Sequence, residues 1–178
     1  ASMRGNDYDL RTIFNGSFLQ QRPEGTVTFV DNHDTQPGQS LESTIDYWFK
    51  PFAYALILLR EQGMPCTFFP ALYGASYTFK KGEDSYDINL QKVESIEQLL
   101  LVRKCLAYGV QRDYFDHANT VGWIREGIDE IVRRRNGRHS GFRGHRPQIV
   151  AVEADELAGR LVGQVGLKIG AAWRRSGR

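Results

Sequence analysis

A polar cluster directly follows a short apolar stretch near the start of the chain. The stretch, residues 26–30, is β-branched and aromatic, and in the cluster Asp34 and His33 place a carboxylate beside an imidazole. A carboxylate accepts hydrogen bonds and an imidazole can donate one, so the pair could hold a polar ligand. The same residue types also form turns. A strand-to-helix turn in which Asp34 caps a first turn near Pro37 is therefore the alternative.

The elements around this cluster alternate between strand and helix patterns. Short apolar strands are predicted at 26–30 and 65–69, and helical spacing of apolar residues is found over 43–62 and 95–109. This order implies parallel strands covered on both faces, because each crossover places a helix on the sheet. Two strand–helix units cannot close a barrel by themselves.

Capping and stop signals set the expected helix bounds. A short helix is predicted over 7–16, capped by an Asp at position 7 or 9. The helix at 43–62 has Ser43 as its expected cap and Gly63 as its stop, and Pro51 is expected to kink it. Ser95 is expected to open the helix that follows.

The remaining segments are predicted as a loop and a hairpin. The polar stretch around Gly82 and Asp84 is taken as a loop, and 113–117 and 120–125 as a hairpin around a two-residue turn. The chain is thus expected to leave its α/β part for a β domain that it does not complete. Cys66 and Cys105, which lack metal-binding spacing, are expected to be small buried hydrophobes.

The bulk composition is that of an ordinary globular chain, with 41% hydrophobic and 12% aromatic residues among 178. No apolar run approaches the roughly 20 residues of a membrane helix, so no membrane span is predicted. No secretion signal is visible at the first residues, and both a secreted and a cytoplasmic location fit the sequence.

Composition changes sharply after residue 130. Residues 1–130 hold 12 Lys+Arg against 18 Asp+Glu, a net charge of −6, whereas 131–178 hold 11 against 3, a net charge of +8. The later segment, rich in Arg and Gly, is predicted to be frame-shifted or disordered and sparsely packed. A basic arm for nucleic acid is the alternative, which we disfavour because only Phe142 and Trp173 could stack on bases.

The polar cluster belongs to a longer pattern that resembles the α-amylase family of glycoside hydrolases, its bacterial liquefying type most closely. The main run is Thr28–Glu42, which reads TFVDNHDTQPGQSLE, and the match extends over about residues 5 to 127. Other matching pieces are Tyr8–Arg11, Trp48–Pro51, Ala53–Glu61, Leu72–Gly74, Ala107–Gly109, Asp113–His117 and Val121–Trp123.

The resemblance implies an α/β fold class: an incomplete (β/α)8 TIM barrel, represented by its last two βα units, plus the start of a C-terminal antiparallel β domain. Residues 1–110 would belong to the catalytic barrel and 111–130 to the β domain, with 131–178 as the divergent tail. In such barrels the catalytic groups stand at the C-terminal ends of the strands.

The resemblance also implies roles for single residues. Asp34 matches a catalytic carboxylate that accepts hydrogen bonds from the substrate sugar as the ring gains positive charge, and His33 matches a substrate ligand. Asp31 and Asn32 are given support roles in orienting the loop through backbone hydrogen bonds. Ala71 stands where the family carries an Asp, which is a departure near the active site.

Calcium is expected in the full-length family but is not assigned to this chain. By resemblance, one site would lie near Asn6, Tyr8, Ala118 and Asn119, and an Asn at 119 replaces the expected acid. The ligand charge is thereby reduced, so no metal and no cofactor is predicted here.

The function implied is hydrolysis of internal α-1,4-glucosidic bonds of starch and related α-glucans with retention of configuration. Two further carboxyl groups that this mechanism needs are not found in the chain, so the 178 residues alone are expected to be inactive. A non-catalytic glucan-binding or folding remnant is the main alternative, and a nucleic-acid-binding protein acting through the tail is the second.

Overall fold

The computed structural model describes residues 9–127 in full and the backbone of one later strand, 148–153. The α-helices are α1 (Phe18–Gln21), α2 (Lys50–Leu59), α3 (Phe69–Tyr73) and α4 (Ile96–Cys105). The strands are β1 (Val27–Thr28), β2 (Met64–Pro65), β3 (Ala75–Lys81), β4 (Asp84–Leu90), β5 (Tyr108–Tyr114), β6 (Thr120–Gly127) and β7 (Gln148–Glu153). Short 3₁₀ turns lie at Leu10–Thr12, Pro23–Gly25 and Tyr47–Phe49.

Strands β1 and β2 form a parallel pair connected through α2. Val27 pairs with Met64 and Thr28 with Pro65, so the strand–helix–strand order expected from the sequence is confirmed. Both strands are shorter than predicted. The Cys66 N–H still donates to the Thr28 carbonyl at 2.7 Å, and Phe69, expected to end the second strand, instead begins α3.

Helix α2 begins later than the apolar spacing indicated. Pro51 lies in its first turn, where no intrahelical N–H is needed, so the predicted kink within a longer helix is wrong. Ser43 is not its cap, because its N–H donates to the Thr35 carbonyl at 3.0 Å within the preceding loop. The helix ends at Leu59, before the expected stop at Gly63.

The N-terminal segment forms separate short turns rather than one helix over 7–16. Asp9 caps the 3₁₀ turn by accepting from the Arg11 N–H at 2.9 Å, as its residue type indicated. Gly16 adopts a φ of +71°, and a new short helix, α1, starts under the Ser17 cap.

The segment around Gly82, predicted as a loop, is instead a β-hairpin. All seven residues of β3 pair with β4, from Ala75 with Leu90 to Lys81 with Asp84. Gly82 has a φ of +66°, a conformation that glycine adopts without steric cost in a tight hairpin turn. Both strands alternate apolar and polar residues, with Tyr77 and Phe79 in β3 and Tyr86, Ile88 and Leu90 in β4, so the loop prediction overlooked a strand pattern.

Helix α4 runs within the predicted 95–109 but is shorter. Ser95 precedes it with a φ of +62° and gives no side-chain cap, so its expected capping is wrong. Ile96 and Leu99 are its buried residues and face α2. The helix therefore closes the core over α2 from one side.

The hairpin predicted near the end of the matched sequence is confirmed and extended. Strand β5 starts at Tyr108 and pairs antiparallel with β6, with an irregularity between Tyr108 and Val110. Strand β7 adds to the other edge of β6, from Thr120 with Glu153 to Arg125 with Gln148. It was not predicted. The other tail positions lie outside the described residues, so the expected disorder of 131–178 remains a prediction.

The core is centred on α2, between α4 and the β5–β6 hairpin. Tyr54, Leu58 and Leu59 of this helix and Trp123 of β6 are almost wholly buried. The last helix carbonyls are covered by donors from two other elements: Arg103 binds the Leu58 carbonyl, and Trp123 and Arg125 bind that of Leu59. Cations at a helix C-terminus also interact favourably with its dipole.

A buried arginine ties α2 to the antiparallel sheet. The Arg60 guanidinium donates to both carboxylate oxygens of Asp113 on β5, at 2.7 and 3.0 Å. Three aromatic rings surround it at 4.7 to 5.5 Å from their centroids, those of Phe14, Phe115 and Trp123. The α/β part and the β hairpin thus share one packed junction.

The architecture is mixed α/β, as expected, with one parallel pair and two small antiparallel sheets in the described residues. These ranges do not form a closed barrel. Cys105 is partly buried but Cys66 is exposed, so the expectation that both are buried is wrong for Cys66. Among the described ranges, no helix has the length and apolarity to cross a membrane.

Candidate functional site

The turn at Asp34 is shaped by the side chain of Asn32. Its Oδ1 accepts hydrogen bonds from the backbone N–H groups of Asp34 at 3.0 Å and Thr35 at 2.9 Å. The Thr35 hydroxyl in turn accepts from the Asn32 N–H at 3.1 Å. This reciprocal pattern is an Asx-type turn, which fixes the local backbone without any helix. The support role given to Asn32 is confirmed.

The Asp34 carboxylate is therefore not a helix cap. Asn32 supplies the acceptor that the turn needs, and no helix begins between Asp34 and the 3₁₀ turn at Tyr47. Asp34 lies beside His33 instead, with its Oδ1 3.3 Å from His33 Nε2. Both side chains are open to solvent, 52% exposed for Asp34 and 80% for His33. The pair offers one acceptor group and one donor on an outward-facing loop.

Asp31 anchors the base of the loop to α2. Its carboxylate lies 3.0 Å from the Lys50 ammonium, and only 10% of the Asp31 side chain is exposed. A buried charge requires a partner, so this ion pair fixes the point where β1 passes into the turn. The support role of Asp31 thus comes from its side chain, and the predicted backbone hydrogen bonds are made by Asn32.

The ring of Tyr54, wholly buried, lies behind this anchor. Burial raises the pKa of its hydroxyl, and the nearby charge of Asp31 raises it further. The phenol is neutral at physiological pH and adds no charge to the loop.

A narrow cleft adjoins the loop on the inner side. Residues of three segments line it: Asp31, Thr35, Gln36, Pro37 and Thr44, then Lys50, then Phe68, Pro70, Ala71, Leu90, Gln91 and Val93. His33 and Asp34 do not line it. Ala71, where the resemblance expects an acid, is almost wholly buried at its wall.

The β3–β4 hairpin packs on the far side of the same loop. The Tyr77 hydroxyl donates to the Pro37 carbonyl at 2.6 Å, and Gly38 lies against the Phe79 ring. A Cβ on Gly38 would come within 2.6 Å of that ring, and the residue has a φ of +82°. The β3–β4 hairpin, which was not predicted from the sequence, therefore supports the loop that holds Asp34.

The residues that the resemblance associates with calcium are only partly described. Asn6 and Tyr8 lie outside the described residues. The Ala118 carbonyl accepts from the Leu10 N–H at 2.7 Å, and the Asn119 N–H donates to His117 Nδ1 at 3.2 Å. In the part of the chain that is described, no three His, Cys, Asp or Glu side chains cluster as metal ligands would.

Sequence reasoning missed Lys50 as the partner of Asp31 and Tyr77 as the support of Pro37. Lys50 lies between apolar helix residues, and a lysine in that setting normally reaches into solvent. Tyr77 belongs to the unpredicted hairpin. Neither residue gives a sequence signal, because each contact joins positions that are 19 or 40 residues apart.

Comparisons with known proteins find alpha-amylases among the relatives of this chain. The alpha-amylase of Bacillus licheniformis is 52% identical over 132 residues, which are 74% of this chain and 25% of that protein. The cytoplasmic alpha-amylase of Escherichia coli is 48% identical over 74% of this chain and 27% of its own length. The alpha-amylase of Geobacillus stearothermophilus is 45% identical over 73% of this chain and 22% of its own length. No family model matches the chain.

The chain thus spans about a quarter of the length of the curated relatives it matches. Identities near one half over some 130 residues agree with the family indicated by the motif around Asp34. The chain belongs, over the stretch that these relatives match, to the α-amylase family of glycoside hydrolases.

Proposed function

We propose that this chain provides the Asp34 loop of an α-glucan hydrolase that cleaves internal α-1,4-glucosidic bonds with retention. The observation that carries the proposal is the exposed carboxylate of Asp34 on a turn preset by Asn32, beside the imidazole of His33. The relatives, three of them alpha-amylases, supply the substrate class. Starch and maltooligosaccharides are the proposed substrates.

The role proposed for Asp34 is electrostatic. Glycosidic cleavage passes through a transition state with positive charge on the sugar ring, and a fixed anion stabilises that charge more than it stabilises the neutral ground state. The turn holds the backbone on either side of the carboxylate, so little reorganisation is needed when the charge develops. His33, on the same loop, donates to a hydroxyl of that sugar.

A retaining mechanism needs a nucleophilic carboxylate and an acid/base carboxyl about 5 Å apart, and Asp34 is neither of them in this proposal. The parallel pair β1–β2 and its helices correspond, on this view, to the last two βα units of a (β/α)8 barrel whose other strands bear those groups. The 178-residue chain alone should therefore show no starch hydrolysis.

The test is a chimera. The stretch of the Bacillus licheniformis alpha-amylase that matches this chain is replaced by residues 9–127, and starch hydrolysis is measured with and without Asp34→Asn. The neutral amide keeps the shape of the side chain but removes its charge. We expect turnover to fall by a factor on the order of a hundred or more, with unchanged circular dichroism.

Near-native turnover in the Asp34→Asn chimera would contradict the proposal. The matched control is Asp87→Asn on the exposed β3–β4 hairpin, where the carboxylate accepts a hydrogen bond from the Thr78 hydroxyl at 2.7 Å. That variant should keep full turnover, since its side chain lies outside the proposed site.

A non-catalytic glucan-binding remnant is the second candidate. The neighbours of Asp34 favour it. In the described residues, Asp34 contacts His33 and the Asn32 turn, and none of its ion pairs or hydrogen bonds involves a second carboxylate. An active chimera excludes this candidate. If the chimera is inactive, the candidate is supported when the isolated chain is retained on insoluble starch and His33→Ala abolishes that retention.

A further inference from the structure

We propose that Tyr77 of the β3–β4 hairpin is a positioning residue for Asp34. Its hydroxyl, which donates to the Pro37 carbonyl, fixes the loop on which the carboxylate stands, and it acts on the reaction through that loop. The kinetic consequence of this inference rests on the proposed function, whereas the positioning itself rests on the geometry of the loop.

The segment 35–43, which we call the distal loop, is closed by its own hydrogen bonds. The Ser43 N–H donates to the Thr35 carbonyl at 3.0 Å, and the Gly38 N–H donates to the Glu42 carboxylate at 2.9 Å. Short loops that are bonded internally in this way are compact units. A contact at the tip of the distal loop therefore restrains its ends as well.

Thr35 joins the distal loop to the carboxylate. Its N–H donates to Asn32 Oδ1 at 2.9 Å, and its hydroxyl accepts from the Asn32 N–H at 3.1 Å. The Asp34 N–H donates to the same Asn32 oxygen at 3.0 Å. Because Pro37 follows closely in sequence, a displacement of its carbonyl reaches Asp34 over a few bonds of the same turn.

Two contacts hold the hairpin on the tip of the distal loop. The Tyr77 hydroxyl donates to the Pro37 carbonyl at 2.6 Å, and the Phe79 ring lies against Gly38. Burial raises the pKa of the Tyr77 hydroxyl, and the nearby Glu42 carboxylate raises it further. The phenol therefore remains a neutral hydrogen-bond donor at physiological pH.

The hairpin is itself fixed at its base. The Val93 N–H donates to the Ala71 carbonyl at 2.8 Å, and the Tyr47 hydroxyl donates to the Lys92 carbonyl. These bonds tie the segment that follows β4 to α3 and to the 3₁₀ turn before α2. Tyr77 thus stands on an anchored element and can hold the distal loop in place.

Position matters because the role proposed for Asp34 is electrostatic. The Asp31–Lys50 ion pair holds the start of the turn, and Tyr77 holds the segment beyond it. An anion that is set in place before charge develops stabilises a transition state without reorganisation. A displacement of about 1 Å can cost on the order of a hundredfold in rate, so the hydroxyl contact should be visible in turnover.

The first experiment compares two hydroxyl deletions in the starch-hydrolysing chimera. Tyr77→Phe keeps the ring and removes the donor to Pro37. Tyr86→Phe is the matched control on β4, where the ring is 45% exposed and stacks on Phe79. We expect kcat to fall about tenfold in Tyr77→Phe, with KM for starch changed less than about twofold, and both constants to be unchanged in Tyr86→Phe. A purely structural role would lower the melting temperature and leave kcat of the folded enzyme unchanged.

A double-mutant cycle tests whether the effect passes through Asp34. Asp34→Asn removes the charge that needs positioning, so adding Tyr77→Phe should lower kcat by less than about twofold more. A further tenfold loss in that background would overturn the proposal. Wild-type kcat in Tyr77→Phe, or an equal loss in Tyr86→Phe, would overturn it too.

The 178-residue chain gives a readout that does not depend on activity. Tyr77→Phe should accelerate amide hydrogen exchange at Asp34 and Thr35 at least about fivefold, and Tyr86→Phe should not. Unchanged exchange would overturn the positioning even if the chimera is active. Near-native turnover in Asp34→Asn, or an inactive wild-type chimera, counts against the proposed function instead, and the exchange rates then decide the positioning.

Discussion

Arg60 and Asp113 form a two-point ion pair across 53 residues of sequence, with N–O distances of 2.7 and 3.0 Å. The guanidinium is almost wholly buried among three aromatic rings, whereas the carboxylate is partly open to solvent. The pair is the main polar link between the end of α2 and strand β5. Its loss would leave a charge buried without its partner.

Asp113→Ala should lower the free energy of unfolding by about 2 kcal/mol, because the buried Arg60 loses its carboxylate while Asp113 itself is partly screened by water. Urea unfolding of the 178-residue chain measures the change. Glu126→Ala is the control, since it breaks the exposed Arg112–Glu126 pair in the same sheet and should give no resolvable change. Equal effects of the two substitutions would contradict the importance assigned to burial.

Asn32→Ala should release the turn that holds Asp34. Two backbone N–H groups lose their acceptor, so the free energy of unfolding should fall by about 1 kcal/mol. In the amylase chimera, turnover should fall more than the affinity for starch. Asn32→Asp keeps an acceptor oxygen and should therefore keep most of the stability and most of the turnover. This result separates a positioning role from a loss of fold.

Gly38→Ala should be more damaging than Gly82→Ala. Both glycines have a positive φ, but a Cβ at Gly38 would meet the Phe79 ring at 2.6 Å and one at Gly82 would meet nothing within 4 Å. We expect a loss of about 1 kcal/mol at Gly82 and at least about 2 kcal/mol at Gly38, measured by denaturant unfolding. Adding Phe79→Leu should recover part of the stability lost in Gly38→Ala and none of that lost in Gly82→Ala. A similar cost at both positions would show that the ring moves aside freely.

The buried Tyr54 should make stability fall in alkaline solution. Its pKa is raised in the folded chain, first by burial and then by Asp31, so the unfolded chain releases this proton at lower pH. The folded state therefore keeps its full stability from this group below pH 10 and loses it as the pH rises further. Urea midpoints at pH 8 and pH 10.5 should differ less in Tyr54→Phe than in the wild type. An identical pH dependence would rule out a contribution of Tyr54.

Sequence alone predicted the parts of the fold in which local pattern and burial agree. The β5–β6 hairpin followed from Val121 and Trp123, whose alternate side chains are buried. The β3–β4 hairpin was missed although Tyr77 and Phe79 alternate with polar residues, because the charged residues around Gly82 were taken as a loop. Alternation of this kind favours a half-buried strand even where most of the hairpin is exposed.

The candidate site was predicted in type but not in detail. The motif identified Asp34 and His33, and the alternative in which Asp34 caps a helix is wrong, because the turn is held by Asn32 and no helix begins near Pro37. Asx residues form turns as readily as caps, so residue type alone does not decide between the two. Exposure of Cys66 could not be predicted, because apolar neighbours in sequence do not determine whether a sheet face is covered.

The Asn32 turn also has a consequence for the order in which the chain acquires its shape. Its hydrogen bonds join residues two or three apart, whereas the Arg60–Asp113 pair must wait for 53 residues. Short loops close in tens of nanoseconds and at low entropic cost. The conformation around Asp34 can therefore arise while the chain is still being synthesised, before any long-range junction exists. Once α2 has been synthesised, the nascent chain already contains the residues that shape the turn, together with Lys50, which anchors its base.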